Sequence, residues 1–154
     1  MAILRGSAAK RSAWSRWLGN CSTGRRANPT FYGKTIGGWP DVAVDALRAL
    51  ETALQSTGYA ATSRWAYNFR KITGSSLPCG CSDARGCSLH AYPIAIDIDP
   101  HLNPYTTRPF SWKDTAFTPA QIAAVEAIRN TKGEQVWEWG GRWSSVRDYM
   151  HFEL

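Results

Sequence analysis

Ile94-Ala95-Ile96-Asp97-Ile98-Asp99 alternates without a break, and its reading decides how the rest of the chain must fold. In an extended strand successive side chains point to opposite faces, so the three isoleucines turn one way and Ala95, Asp97 and Asp99 the other. The isoleucine face belongs in a core, and Asp97 then points into whatever cleft lies opposite. Met150-His151-Phe152-Glu153-Leu154 repeats the design: Met150, Phe152 and Leu154 face one way, His151 and Glu153 the other. Asp148 falls on the wrong side of a continuous strand and is expected in a bend just before it.

Working outward, Val44, Leu47, Leu50 and Leu54 mark one apolar stripe of a helix, with Pro40 ahead of it and Gly58 closing it. Residues 65–72 read as a strand. The Pro- and Thr-bearing connection from Asn103 to Pro119 contains Phe110 and Trp112, and such loops often shape a cleft. Thr118-Pro119-Ala120-Gln121 is a capping box with Pro at the first helical position, opening a helix through Ile122, Val125 and Ile128 to Gly133. Val136 to Trp139 and Met150 to Leu154 close the chain as strands. Residues 1–40, rich in Gly, Ser, Arg and Lys, read as an irregular lead-in to one domain over 41–154. This order predicts an α+β fold, a mainly antiparallel sheet covered on one side by helices.

The 154 residues suit a single domain able to bury a core, and 44% hydrophobic content with eight Trp and 19% charge argues against disorder. A formal charge of +6 favours polyanions in general: nucleic acid, an anionic membrane and a carboxylate-rich bacterial wall are all compatible with it. No stretch approaches the roughly 20 consecutive apolar residues of a membrane span. The basic start (Arg5, Lys10, Arg11) is not followed by an apolar segment, so no secretory signal peptide is expected. Cys21, Cys79, Cys81 and Cys87 leave two readings open: disulfides clamping the loop before His90, or a second, structural zinc, against which the Cys-x-Cys spacing speaks.

His90, Asp97 and His151 offer two imidazoles and a carboxylate, a donor set suited to a catalytic Zn²⁺, which keeps a fourth position for water. The chemistry also needs a proton acceptor that later serves the leaving group. Asp148, three residues before His151, is the first candidate, with Glu138 and Glu153 as alternatives. Asp99 rivals Asp97 as ligand but reads better as an Asp-Pro turn residue or a support for the site. Nothing in the spacing of His101 ties it to a metal. Trp137, Trp139 and Trp143 read as core or cleft wall, with Trp139 a candidate substrate contact.

Ser88-x-His90, then Asp97 within Ala-Ile-Asp, then Trp139-Gly-Gly-x-Trp143 and the closing Asp148-x-x-His151-Phe-Glu resemble the zinc peptidases of the D-alanyl-D-alanine carboxypeptidase and L-alanyl-D-glutamate endopeptidase family. The resemblance runs from about residue 61 to the end. It implies the family's Hedgehog-like fold, one catalytic Zn²⁺ held by His90, Asp97 and His151, and Asp148 as general base. It also makes Arg70, in Tyr67-Asn68-Phe69-Arg70, a substrate-binding and oxyanion-stabilising arginine, and puts Ser88 near the site. Pro93 stands where the family generally has Gly, a variation in the turn.

The resemblance therefore implies a zinc metallopeptidase acting on bacterial peptidoglycan stem peptides. A phage or prophage lytic endopeptidase of the L-Ala-D-Glu type is expected, made in the cytoplasm and reaching the wall by holin-type release or virion delivery. A D-Ala-D-Ala carboxypeptidase is the first alternative, and an inactive zinc-containing wall-binding module the second. A monomer is expected, with neither nucleic acid nor a membrane span as partner.

Overall fold

The computed structural model describes residues 26–66, 72, 74–77, 79, 86 and 94–154. In chain order its elements are β1 (Arg26–Ala27), β2 (Thr30–Phe31), β3 (Lys34–Thr35), β4 (Trp39–Pro40), α1 (Val44–Ser56), β5 (Arg64–Trp65), β6 (Ala95–Ile98), β7 (Tyr105–Thr106), α2 (Pro119–Glu126), β8 (Glu138–Trp139), β9 (Arg147–Asp148) and β10 (His151–Glu153). Among these, β5, β6, β10 and β8 lie side by side in one antiparallel sheet. Three two-stranded ribbons, β1 with β4, β2 with β3 and β7 with β9, complete an α+β domain.

The two alternating strands pair with each other in the register their patterns demand. His151 stands opposite Asp97 and Phe152 opposite Ile96, so polar partners share one face and apolar partners the other. Ile94, Ile96, Ile98, Phe152 and Leu154 are fully buried, in one core with Leu47, Leu50 and Leu54 of α1 and Ile122 and Val125 of α2. Burying each such side chain stabilises the fold by roughly 1.5–3 kcal/mol.

Helix ends follow the local chemistry. After α1, Gly58 takes φ +81°, its N–H donating to Gln55 O while that of Tyr59 reaches Leu54 O. This left-handed stop satisfies carbonyls that the helix leaves without partners. At α2 the capping box forms: Thr118 Oγ1 accepts from Gln121 N, and Gln121 Oε1 from Thr118 N. The helix stops at Glu126, short of the expected Gly133. Asn130 Oδ1 accepts from the N–H groups of Lys132 and Glu134, and Gly133 at φ +78° completes a tight turn that brings Gln135 back opposite Arg129.

Residues 26–40 carry the four short strands β1 to β4. Tyr32 and Gly33, both at positive φ, make the two-residue turn between β2 and β3. Phe31 and Trp39 are fully buried in the common core, and Trp39 stacks on Trp137 and donates its Nε1–H to Ala43 O. Short strands with few alternating residues carry little periodicity, so only packing reveals them. Among the described residues, no helix is long and apolar enough to cross a membrane.

Candidate active site

The register of β6 and β10 brings the side chains of Asp97 and His151 together: His151 Nδ1 lies 3.1 Å from Asp97 Oδ1. On the other side of the ring, His151 Nε2 lies 3.0 Å from Glu153 Oε2, two residues along the same strand and so on the same face. The imidazole is only 6% exposed, and the ring of Trp143 lies against it, centroids 5.1 Å apart. Burial alone would lower the His151 pKa, but hydrogen bonds and charge from Asp97 and Glu153 outweigh it and push the value up to about 9. The pocket therefore favours positive charge at this ring.

A shared metal ion fits the Asp97 and His151 donors. Imidazole nitrogen and carboxylate oxygen are zinc donors at about 2.0–2.2 Å, and two of them on a tetrahedral ion stand roughly 3.3 Å apart. The observed 3.1 Å is close to that separation. Glu153, on the far nitrogen, stands where a carboxylate fixes the tautomer and orientation of a ligating histidine. Among the described residues, no group of three His, Cys, Asp or Glu side chains converges on one ion. His90, the expected third donor, lies outside the described residues, as do Arg70, Ser88, Cys21, Cys81 and Cys87. Cys79 is disulfide-bonded.

Asp148 sits in β9, which pairs with β7 and not with the central sheet. A turn at Tyr149 and Met150 separates it from β10, which removes the strand continuity that would have put it on the wrong face. Gly140 then explains how Asp148 and His151 come close. A Cβ on Gly140 would lie 2.5 Å from the Asp148 carbonyl oxygen, 3.0 Å from Asp148 Cβ and 3.2 Å from His151 Cβ. Only the absence of a side chain there lets Asp148 and His151 close around the same point.

The surrounding aromatic side chains hold this turn. Trp139, a candidate substrate contact, is 1% exposed and donates its Nε1–H to Tyr149 O at 2.8 Å, so it supports the turn after Asp148 from within the core. It stacks on Trp112, centroids 5.6 Å apart. Arg142 lies over both rings and is held by Glu126 through contacts of 2.9 and 3.1 Å. Trp137 is core, its Nε1–H donating to Ala46 O.

Asp99 does not share the site. Its φ of +46° turns the chain out of the strand, and its buried carboxylate accepts from Tyr59 Oη, from Thr62 N and Oγ1 and from Ser63 N and Oγ. Burial would raise its pKa, but these hydrogen bonds hold it below the ordinary carboxylate value. His101 is exposed. Two supporting roles have weaker sequence signals: Glu153, an alternative base by sequence, is the partner of His151, legible in its i, i+2 spacing on a strand, and Gly140 makes a close approach that has no local signal.

Residues 82–154, which hold Asp97, Gly140, Asp148, His151 and Glu153, match the family model described as D-alanyl-D-alanine carboxypeptidase. No curated protein and no solved structure matches the chain.

Proposed function

We propose, from the premise that residues 82–154 are a peptidase segment of the D-alanyl-D-alanine carboxypeptidase family, that this chain is a zinc-dependent peptidoglycan hydrolase. The observation that carries the reading is the Asp97–His151 pair at 3.1 Å, with Asp148 gathered beside it over Gly140. His90, Asp97 and His151 would hold the ion. When bound, Zn²⁺ supplies a Lewis acid that makes water nucleophilic near neutral pH and polarises a carbonyl.

The chain's own groups do the rest. Asp148 takes a proton from the water that attacks the scissile carbonyl and passes it to the departing amine. Arg70 donates hydrogen bonds to the oxyanion as its charge develops. Glu153 keeps the His151 ring turned towards Asp97. The substrate is a stem peptide of the bacterial wall, cut between L-Ala and D-Glu by a monomeric lytic endopeptidase of phage or prophage, released through a holin pore or carried on the virion.

The description of the matched family favours a second reading, removal of a terminal D-Ala. Digestion of purified wall followed by mass spectrometry separates them. The endopeptidase exposes a new D-Glu amino terminus; the carboxypeptidase releases free D-Ala. A digest yielding neither would overturn both.

A further inference from the structure

Two aromatic side chains stand exposed beside the acids of the site. Trp65 is 69% exposed and Tyr105 is 54% exposed, both far above the core aromatics. Exposed aromatic faces beside a candidate site are surfaces that a ligand can cover. Each is the cross-strand partner of a site carboxylate: Trp65 pairs with Asp97 and Tyr105 with Asp148.

Register partners in antiparallel strands point to the same face, and strands lie about 4.8 Å apart. Trp65, Asp97 and His151 therefore form one row across β5, β6 and β10, with the indole at its outer end. The neighbouring residue confirms the alternation. Arg64 turns its guanidinium to the carbonyl oxygens of Phe31 and Tyr32, at 3.1 and 2.7 Å, on the opposite side of β5. Trp65 is thus directed to the site face. Tyr105 borders the site from the β7–β9 ribbon, next to Asp148.

We infer that Trp65 and Tyr105 are substrate-binding walls that grip the wall fragment beside the site carboxylates, Trp65 next to Asp97 and Tyr105 next to Asp148. The inference rests on the peptidase reading above. Trp and Tyr present broad, rigid faces with a polar edge, suited to a ligand of mixed character such as a stem peptide with its attached sugar. Binding held at such remote contacts positions the reacting bond.

The test uses the full chain loaded with zinc, and soluble wall fragments carrying both sugar and stem peptide. Binding is measured by calorimetry and hydrolysis in parallel, for the wild type, Trp65→Ala, Trp65→Phe and Tyr105→Ala. Trp65→Ala is expected to weaken binding and raise KM about tenfold, with zinc content and melting temperature unchanged; Tyr105→Ala weakens binding by a smaller factor. Trp65→Phe, which keeps an aromatic face, recovers most of the loss. Binding and KM of Trp65→Ala within twofold of wild type overturn the inference. A wild type that binds fragments, and loses that binding in Trp65→Ala, but cuts nothing leaves the inference standing and overturns the peptidase reading. A wild type that does not bind them overturns both.

Discussion

His151 Nδ1 and Asp97 Oδ1 face each other at 3.1 Å across adjacent antiparallel strands, two residues 54 positions apart joined by register alone. Removing one donor of a three-ligand site leaves the ion poorly held. Asp97→Ala is expected to lose zinc and, with it, hydrolysis, while the fold survives, because the Asp97 side chain lies on the site face and not in the core. Metal analysis and circular dichroism of the same preparation check this; a variant retaining stoichiometric zinc would remove Asp97 from the ligand set.

Asp148 is given proton transfer and no part in holding the ion. Asp148→Asn should retain zinc while kcat falls by about 10²-fold or more, the usual weight of a general acid–base group. Unchanged turnover would transfer the role elsewhere, with Glu138, half-buried on β8, the next group to test.

Gly140 is predicted to be irreplaceable for activity. A methyl group placed 2.5 Å from the Asp148 carbonyl oxygen must displace backbone, which moves Asp148 relative to His151. Misplacement by about 1 Å can cost 10²-fold in rate. Gly140→Ala is therefore expected to keep zinc and lose kcat; kinetics matching wild type would show that the turn yields without moving the acid.

Metal-free protein carries a pH signature. Folded His151 holds its proton up to about pH 9, against 6.5 for an ordinary histidine. Because the folded value is the raised one, the stabilisation is fully present below pH 6.5 and is lost as pH rises through about 9. Melting temperatures of the metal-free chain should fall across that window, and Glu153→Gln, which removes one of the two carboxylates, should flatten the fall. In the presence of metal the same variant should bind zinc about 10- to 100-fold more weakly. A profile and an affinity both unchanged in Glu153→Gln would deny Glu153 its hold on the ring.

Asp99 has the opposite sign. Its folded pKa lies below the ordinary 3.8, so its contribution is present above that value and lost as pH falls through the folded one. Asp99→Asn is expected to cost on the order of 3 kcal/mol at neutral pH, since several hydrogen bonds to a charged acceptor are weakened together. Denaturant unfolding at pH 7 measures it, and a cost below about 0.5 kcal/mol would contradict the anchoring role.

The strands that carry the site were legible because alternation over Ile94 to Asp99 and Met150 to Leu154 specifies a face, and a face specifies register. The helix stripe, the Gly58 stop and the Thr118 capping box were legible for the same reason: each is a local pattern with a local cause. The β1–β4 ribbons were not, since two-residue strands have no period and are fixed by the burial of Phe31 and Trp39. The end of α2 was overestimated because Ile128 continues the apolar spacing while the Asn130 side chain closes a turn. In the site, the register that sets Asp97 opposite His151 was legible from the alternation of both strands. The break between β9 and β10 was foreseen only as a bend, and the burial of Trp139 behind the turn depends on Phe110, Trp112 and Tyr149 packing around it from distant segments.

Zinc content and wall hydrolysis should rise and fall together in one preparation measured before chelation, after chelation and after readdition of Zn²⁺. One zinc per chain is expected, with hydrolysis lost on its removal and recovered on its return. Full hydrolysis by the metal-free chain would contradict it.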